Sequence, residues 1–237
     1  MHIGYIFFAL TGGLVPALFW LWFWLREDSL HPEPRALIAS SFIAGMIVVL
    51  LVLPLQHIAL ERFSGRELIL AWVIIEEILK YSAALIVVLW NKAVDEPIDT
   101  IIYMIVIALG FSALENALFI FNPLVVGNVA ESLLTSTFRF VGATLLHVLA
   151  SGTVGALMAF AFYKGRRARI LYATVGLCIA IVLHALFNFS IMNTHGEALL
   201  SIFMFVWLGI ILLFVIFEKV KRIQRPTSST THNNHAP

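Results

Sequence analysis

Apolar residues run along this chain in seven blocks, at 3 to 25, 36 to 60, 67 to 90, 98 to 121, 138 to 163, 168 to 191 and 197 to 217, with short polar stretches between them. A bilayer crossing takes about 20 mainly apolar residues, so each block is long enough to span. The pattern predicts an all-α polytopic membrane protein with seven transmembrane helices. The polar residues that interrupt the blocks have a spacing of their own: Glu76 and Lys80 in the third, Phe111 and Glu115 with Asn116 in the fourth, His147 and Ser151 in the fifth, His184 and Asn188 in the sixth. Positions four apart share one helix face. Four helices therefore each present a polar stripe, and the stripes predict a polar intramembrane cavity.

The basic residues set an orientation. Lys and Arg accumulate in short cytoplasmic loops near helix ends. With the N-terminus outside, the inner segments hold eleven of them, including Arg26, Arg35, Lys92, the Lys164 to Arg169 group and the Lys219 to Arg225 group. The outer segments hold Arg62, Arg66 and Arg139. A multi-pass protein of the cell membrane with a cytoplasmic C-terminus follows. In that frame Glu76, Glu115, His147 and His184 all fall roughly 9 to 14 Å below the outer boundary at 1.5 Å per residue. A shared depth in helices of alternating direction is what convergence on one site requires.

Composition adds limits. Of 237 residues, 61% are hydrophobic and 12% are charged, which leaves membrane lipid as the surrounding partner and no soluble domain. Residues 1 to 225 read as a single transmembrane domain. Residues 226 to 237, with His232 and His235, read as a disordered polar tail. The first block lacks a basic leader and exceeds a signal-peptide core, so it reads as a retained helix. Nucleic acid is not an expected partner, since the basic loops are accounted for by topology and the net charge is +1. The single cysteine, Cys178, permits no internal disulfide and reads as a packing residue. Asn188-Phe-Ser spells a glycosylation acceptor but lies within a predicted span, where that modification is not expected. Trp20, Trp22 and Trp24 read as an aromatic belt, and His57 with Gln56 as interfacial side chains. The segment 122 to 137 reads as the longest loop, one that covers or gates the cavity.

Charges inside a span are expensive, roughly 2.5 to 3.5 kcal/mol each at the helix centre on insertion scales. Glu76, Glu77 and Lys80 therefore read as functional by default. Glu115, His147 and His184 supply the donor types of an open catalytic zinc site, which leaves one position for water. A carboxylate such as Glu76 or Glu77 can take the proton of that water, and Asn188 and Ser151 can donate hydrogen bonds to an oxyanion. A metal-free route is equally consistent with the residues: Glu76 and Glu115 activate water while the histidines stabilise the oxyanion. The two glutamates stand about 100° apart around their helix, and the sequence does not choose between them. A non-catalytic scaffold and a proton or ion relay through Glu76, Glu115 and Lys80 are the competing readings.

The motifs EEILK at 76 to 80, FSALEN at 111 to 116, HVLAS at 147 to 151 and HALFN at 184 to 188, in this order on four successive spans, resemble the PrsW family of intramembrane proteases. The acidic, proline-containing stretch from Asp28 to Arg35 is similar as well. That family is related to the CAAX prenyl proteases, in which a histidine replaces the glutamate matching Glu115, and more distantly to a γ-secretase subunit that acts as a scaffold. The resemblance implies an intramembrane metalloprotease acting on a membrane-anchored, single-span protein near the outer leaflet, with site-one cleavage of an anti-sigma factor as the associated role. By the same resemblance Glu76 and Glu77 would be catalytic carboxylates. Glu115, His147 and His184 would hold a divalent metal, zinc being the expected ion, or serve as metal-free equivalents.

Overall fold

The computed structural model describes residues 3–27, 32–192 and 199–223. Eight α-helices and one π-turn make up the described chain: α1 Ile3–Glu27, α2 Arg35–Leu60, α3 Gly65–Val87, α4 Pro97–Val125, α5 Val129–Phe138, the π-turn Arg139–Ala143, α6 Thr144–Phe160, α7 Arg166–Met192 and α8 Leu199–Val220. The region from Val129 to Phe160 is one long helical path through the π-turn. Among the described residues, six helices, this continuous one counted once, are long and apolar enough to cross a membrane. The 23-residue α3 is the seventh of spanning length, and its Glu76, Glu77 and Lys80 are what set it apart. The expected tail at 226 to 237, with His232 and His235, and the loop residues Asp28 to His31 lie outside the described residues.

α4 is the centre of the bundle. Its first half, Ile98 to Leu109, is apolar on nearly every face and buried throughout, as expected of a helix surrounded by others. It packs chiefly on α1, α2 and α6. α8 is the converse case: Leu200, Phe205, Leu208, Ile211 and Leu212 face outward, a surface suited to lipid. At the α2–α4 crossing, added Cβ atoms on Gly45 and Gly110 would run into the backbone at Ile107 and Phe42. Small residues let membrane helices approach this closely. Gly110→Ala is expected to cost about 1–3 kcal/mol through overpacking, read as a lower unfolding temperature in detergent. Gly165→Ala, at an open position, should leave that temperature unchanged.

Three local expectations change. The stretch 122 to 137 is not a loop, since α4 continues to Val125 and α5 begins at Val129, capped by the Asn128 side chain, which accepts from the Glu131 amide. Trp20 and Trp24 do not form a belt: four residues apart, they share the face turned to α8 and are buried. Trp24 stacks on Phe214 with ring centroids 4.4 Å apart. Only Trp22, on the other face, is exposed. Cys178 is not a core residue but an exposed one on α7.

Candidate functional site

The charged residues of α3 lie inside the bundle because the helices around it supply their partners. Glu77 and Lys80 are one turn apart and form an ion pair with 2.5 Å between Oε1 and Nζ, both fully buried. The same Glu77 oxygen accepts from Nδ1 of His184 at 2.7 Å. An ionised carboxylate only accepts, so Nδ1 of His184 donates and its other nitrogen, Nε2, is turned toward Glu76. That nitrogen lies 3.8 Å from Oε2 of Glu76. Lys80 Nζ also stands 3.2 Å from Nδ1 of His147 and 4.7 Å from the centre of the Phe111 ring. An ammonium only donates, so Nδ1 of His147 accepts and its Nε2–H points to Oε2 of Glu115, 3.0 Å away. The two imidazoles meet edge to face with centroids 5.0 Å apart.

These groups border a cavity of about 590 Å³ among α2 to α7 and the π-turn, walled by apolar side chains such as Val52, Leu118 and Phe187. Of the residues singled out by sequence, Glu76, Phe111, Glu115, His147, His184 and Asn188 line it. Glu77 and Lys80 stand behind the wall, and their part is to hold His184 and His147. Ser151 does not reach the cavity. One turn beyond His147, it is buried with its hydroxyl unpaired. Of the two residues expected to donate to an oxyanion, Asn188 lines the cavity and Ser151 does not.

The ligand set also differs from the sequence expectation. Among the described residues, the histidine and carboxylate atoms close enough to share one ion belong to Glu76, His147 and His184, all within 4.8 Å of one another. Glu115, expected in that set, is instead engaged by the Arg139 guanidinium and by His147. The donor chemistry fits a divalent ion. Of the three carboxylates, Glu77 is matched by Lys80 and Glu115 by Arg139, which leaves Glu76 without a fixed countercharge. Its Oε1 accepts from Nε2 of Gln56 at 2.8 Å, while its Oε2 is buried with no hydrogen-bond partner.

Two residues of the site were not singled out by sequence. Gln56 read as interfacial, yet its amide reaches Glu76, and its backbone carbonyl accepts from the Trp72 indole at 3.1 Å. Arg139 read as one of the outer basic residues. The only available hint was that each is a polar side chain inside a predicted apolar block, 36 to 60 and 138 to 163.

A family model described as PrsW family intramembrane metalloprotease matches residues 33–217. The chain is similar to Protease PrsW of Bacillus subtilis, 26% identical over 212 residues covering 85% of this chain and 92% of that protein. It is similar to Protease PrsW of Clostridioides difficile, 26% identical over 230 residues covering 93% of each. Protease PrsW of Oceanobacillus iheyensis is 24% identical over 228 residues, covering 94% of this chain and 98% of that protein. No solved structure matches.

Proposed function

Because this chain belongs to the PrsW family of intramembrane metalloproteases, we propose that it hydrolyses a peptide bond of a single-span membrane protein in the cavity bordered by Glu76, His147 and His184, with a divalent ion, zinc by donor type, held by those three side chains. The observation that carries this reading is the buried, unpaired Oε2 of Glu76 lying 3.8 Å from Nε2 of His184. An uncompensated buried carboxylate calls for a cation or a proton. When bound, such an ion polarises the scissile carbonyl and acidifies its water. The chain's own groups do the rest. Glu77 fixes the His184 tautomer, Gln56 holds the Glu76 carboxylate in place, the Asn188 amide can donate to the oxygen that becomes negative, and the apolar walls keep bulk water away from the peptide.

The excess of basic residues in alternate loops supports an outside N-terminus and a site in the outer half of the bilayer. With the family resemblance, it supports site-one cleavage of a membrane-anchored anti-sigma factor as the physiological reaction. A metal-free variant has one observation in its favour: both nitrogens of His147 are engaged, by Lys80 and Glu115. There Glu76 Oε2 would take the proton of water directly.

Metal analysis separates the two. Protein purified without chelators is expected to carry about one zinc per chain, lost in Glu76→Gln and in His184→Ala but retained, with reduced affinity, in Glu115→Gln. Metal-free wild-type protein would leave the direct glutamate mechanism. Complete loss of metal in Glu115→Gln with retention in Glu76→Gln would restore Glu115 as the ligand.

A further inference from the structure

Arg139 opens the π-turn between α5 and α6, a distortion that recurs at functional sites because it shifts the register of a helix face. Its guanidinium reaches three neighbouring positions of α4. It donates to Oε2 of Glu115 and to Oδ1 of Asn116, and it lies over the Phe119 ring, 4.0 Å from the centroid. Asn116 is itself fixed, since its Nδ2 donates to Ser112 Oγ at 3.0 Å and to Thr144 Oγ1 at 2.9 Å. Thr144 immediately follows the π-turn, so the network ties the turn to α4 at both ends. Fixed in this way, Glu115 accepts the Nε2–H of His147.

The same arrangement occurs twice in the site. Lys80, Glu77 and His184 form one series of cation, carboxylate and imidazole, and Arg139, Glu115 and His147 form another. In each, a fixed cation matches the carboxylate, which then accepts one imidazole proton. Carboxylates that accept from a histidine in this way orient the ring and settle its tautomer. The first series is built entirely within the buried interior. The second is anchored from the cavity wall, where Arg139 is 17% exposed.

We propose that Arg139 is a positioning residue for hydrolysis: it holds Glu115 as the carboxylate that orients His147, and thereby leaves Glu76 as the carboxylate of the Glu-His-His set. The inference rests on the metal-dependent reading above, in which Nδ1 of His147, the nitrogen that here accepts from Lys80, would be the one turned to the ion while Nε2–H stays on Glu115. An arginine suits the task because its planar fork serves two acceptors at once. A lysine would bring the charge to Glu115 but not the simultaneous hold on Asn116.

The test is titration of purified protein with zinc alone, in competition with a chromophoric chelator, alongside thermal unfolding. The variants are Arg139→Gln, Arg139→Lys, Glu115→Gln and the double variant Arg139→Gln/Glu115→Gln. Loss of an orienting partner typically weakens a metal site about 10–100-fold, so Arg139→Gln and Glu115→Gln should each bind zinc at least about tenfold more weakly. The double variant should be no weaker than the worse single one, because both changes remove the same restraint. Arg139→Lys should fall between wild type and Arg139→Gln. A merely structural arginine would lower the unfolding temperature and leave zinc affinity at the wild-type value, and that result overturns the proposal. So does a double variant whose losses multiply. If Arg139→Gln does not purify in folded form, Arg139→Lys decides, with wild-type affinity counting against. Wild-type protein that binds no zinc removes the metal-dependent reading and this inference together, whereas zinc binding untouched by Arg139 removes only the latter.

Discussion

Glu76→Gln is expected to abolish cleavage of a single-span reporter that the wild-type protein cuts, by about 10³-fold or more, while the protein still inserts and purifies. Proton transfer by a positioned side chain contributes about 10²–10⁴-fold on its own, and the same residue belongs to the set that can hold an ion. The effect on stability should have the opposite sign. Oε2 of Glu76 is buried without a hydrogen-bond partner, and no fixed cation stands opposite it. Replacing the carboxyl group with a neutral amide of the same shape removes the need for a cation or a proton at that oxygen while keeping a group that Gln56 can still bond. Glu76→Gln should therefore unfold at the wild-type temperature or above, the pattern of a site that trades stability for activity. Retained cleavage would show that another carboxylate does the work. A large fall in unfolding temperature would show that Glu76 is structural.

Lys80→Met should have the largest effect on stability. Lys80 is completely buried and pairs with the equally buried Glu77. Removing one partner of such a pair leaves an uncompensated charge and costs about 3–5 kcal/mol. Here the loss spreads further, because Glu77 also orders His184, and Lys80 also contacts His147 and the Phe111 ring. A second change separates charge from packing. Glu77→Gln in the Lys80→Met background removes the stranded charge, and the glutamine oxygen can still accept the His184 proton. This double variant should recover most of the lost stability in chemical unfolding experiments in detergent. Equal destabilisation of the single and double variants would mean that shape, not charge, is what Lys80 supplies.

Much of the site was legible before any coordinates because burying charge in a bilayer is costly. The residues that carry chemistry stand out against an apolar background, and helical spacing says which of them share a face. Glu76, Glu115, His147 and His184, expected at one depth, all reach one cavity, and Asn188 lines it with them. Ser151 had the same spacing behind its histidine as Asn188 and nevertheless stays off the cavity wall. A four-residue step also advances about 6 Å along the helix axis, and whether that carries a side chain toward the opening or deeper into packing depends on how the helix crosses its neighbours. Trp20 and Trp24 illustrate the same limit. Their location near a helix end suggested an interface with lipid headgroups, but the surface they meet is α8.

What the sequence by itself determined is the membrane class, the order of the spans and the list of side chains that hydrocarbon would not tolerate, since all of these follow from local composition and helical periodicity. Which carboxylate is free was decided only by the tertiary structure. Glu76 and Glu77 are adjacent in the chain, and about 100° of helix rotation turns one toward Gln56 and the cavity and the other toward Lys80 and His184. Glu115 was paired by Arg139, 24 residues further along the chain, through a π-turn that no local pattern announced. Partners brought from distant helices settle where charge is compensated, and of the three carboxylates at the site Glu76 is the one left without a fixed countercharge.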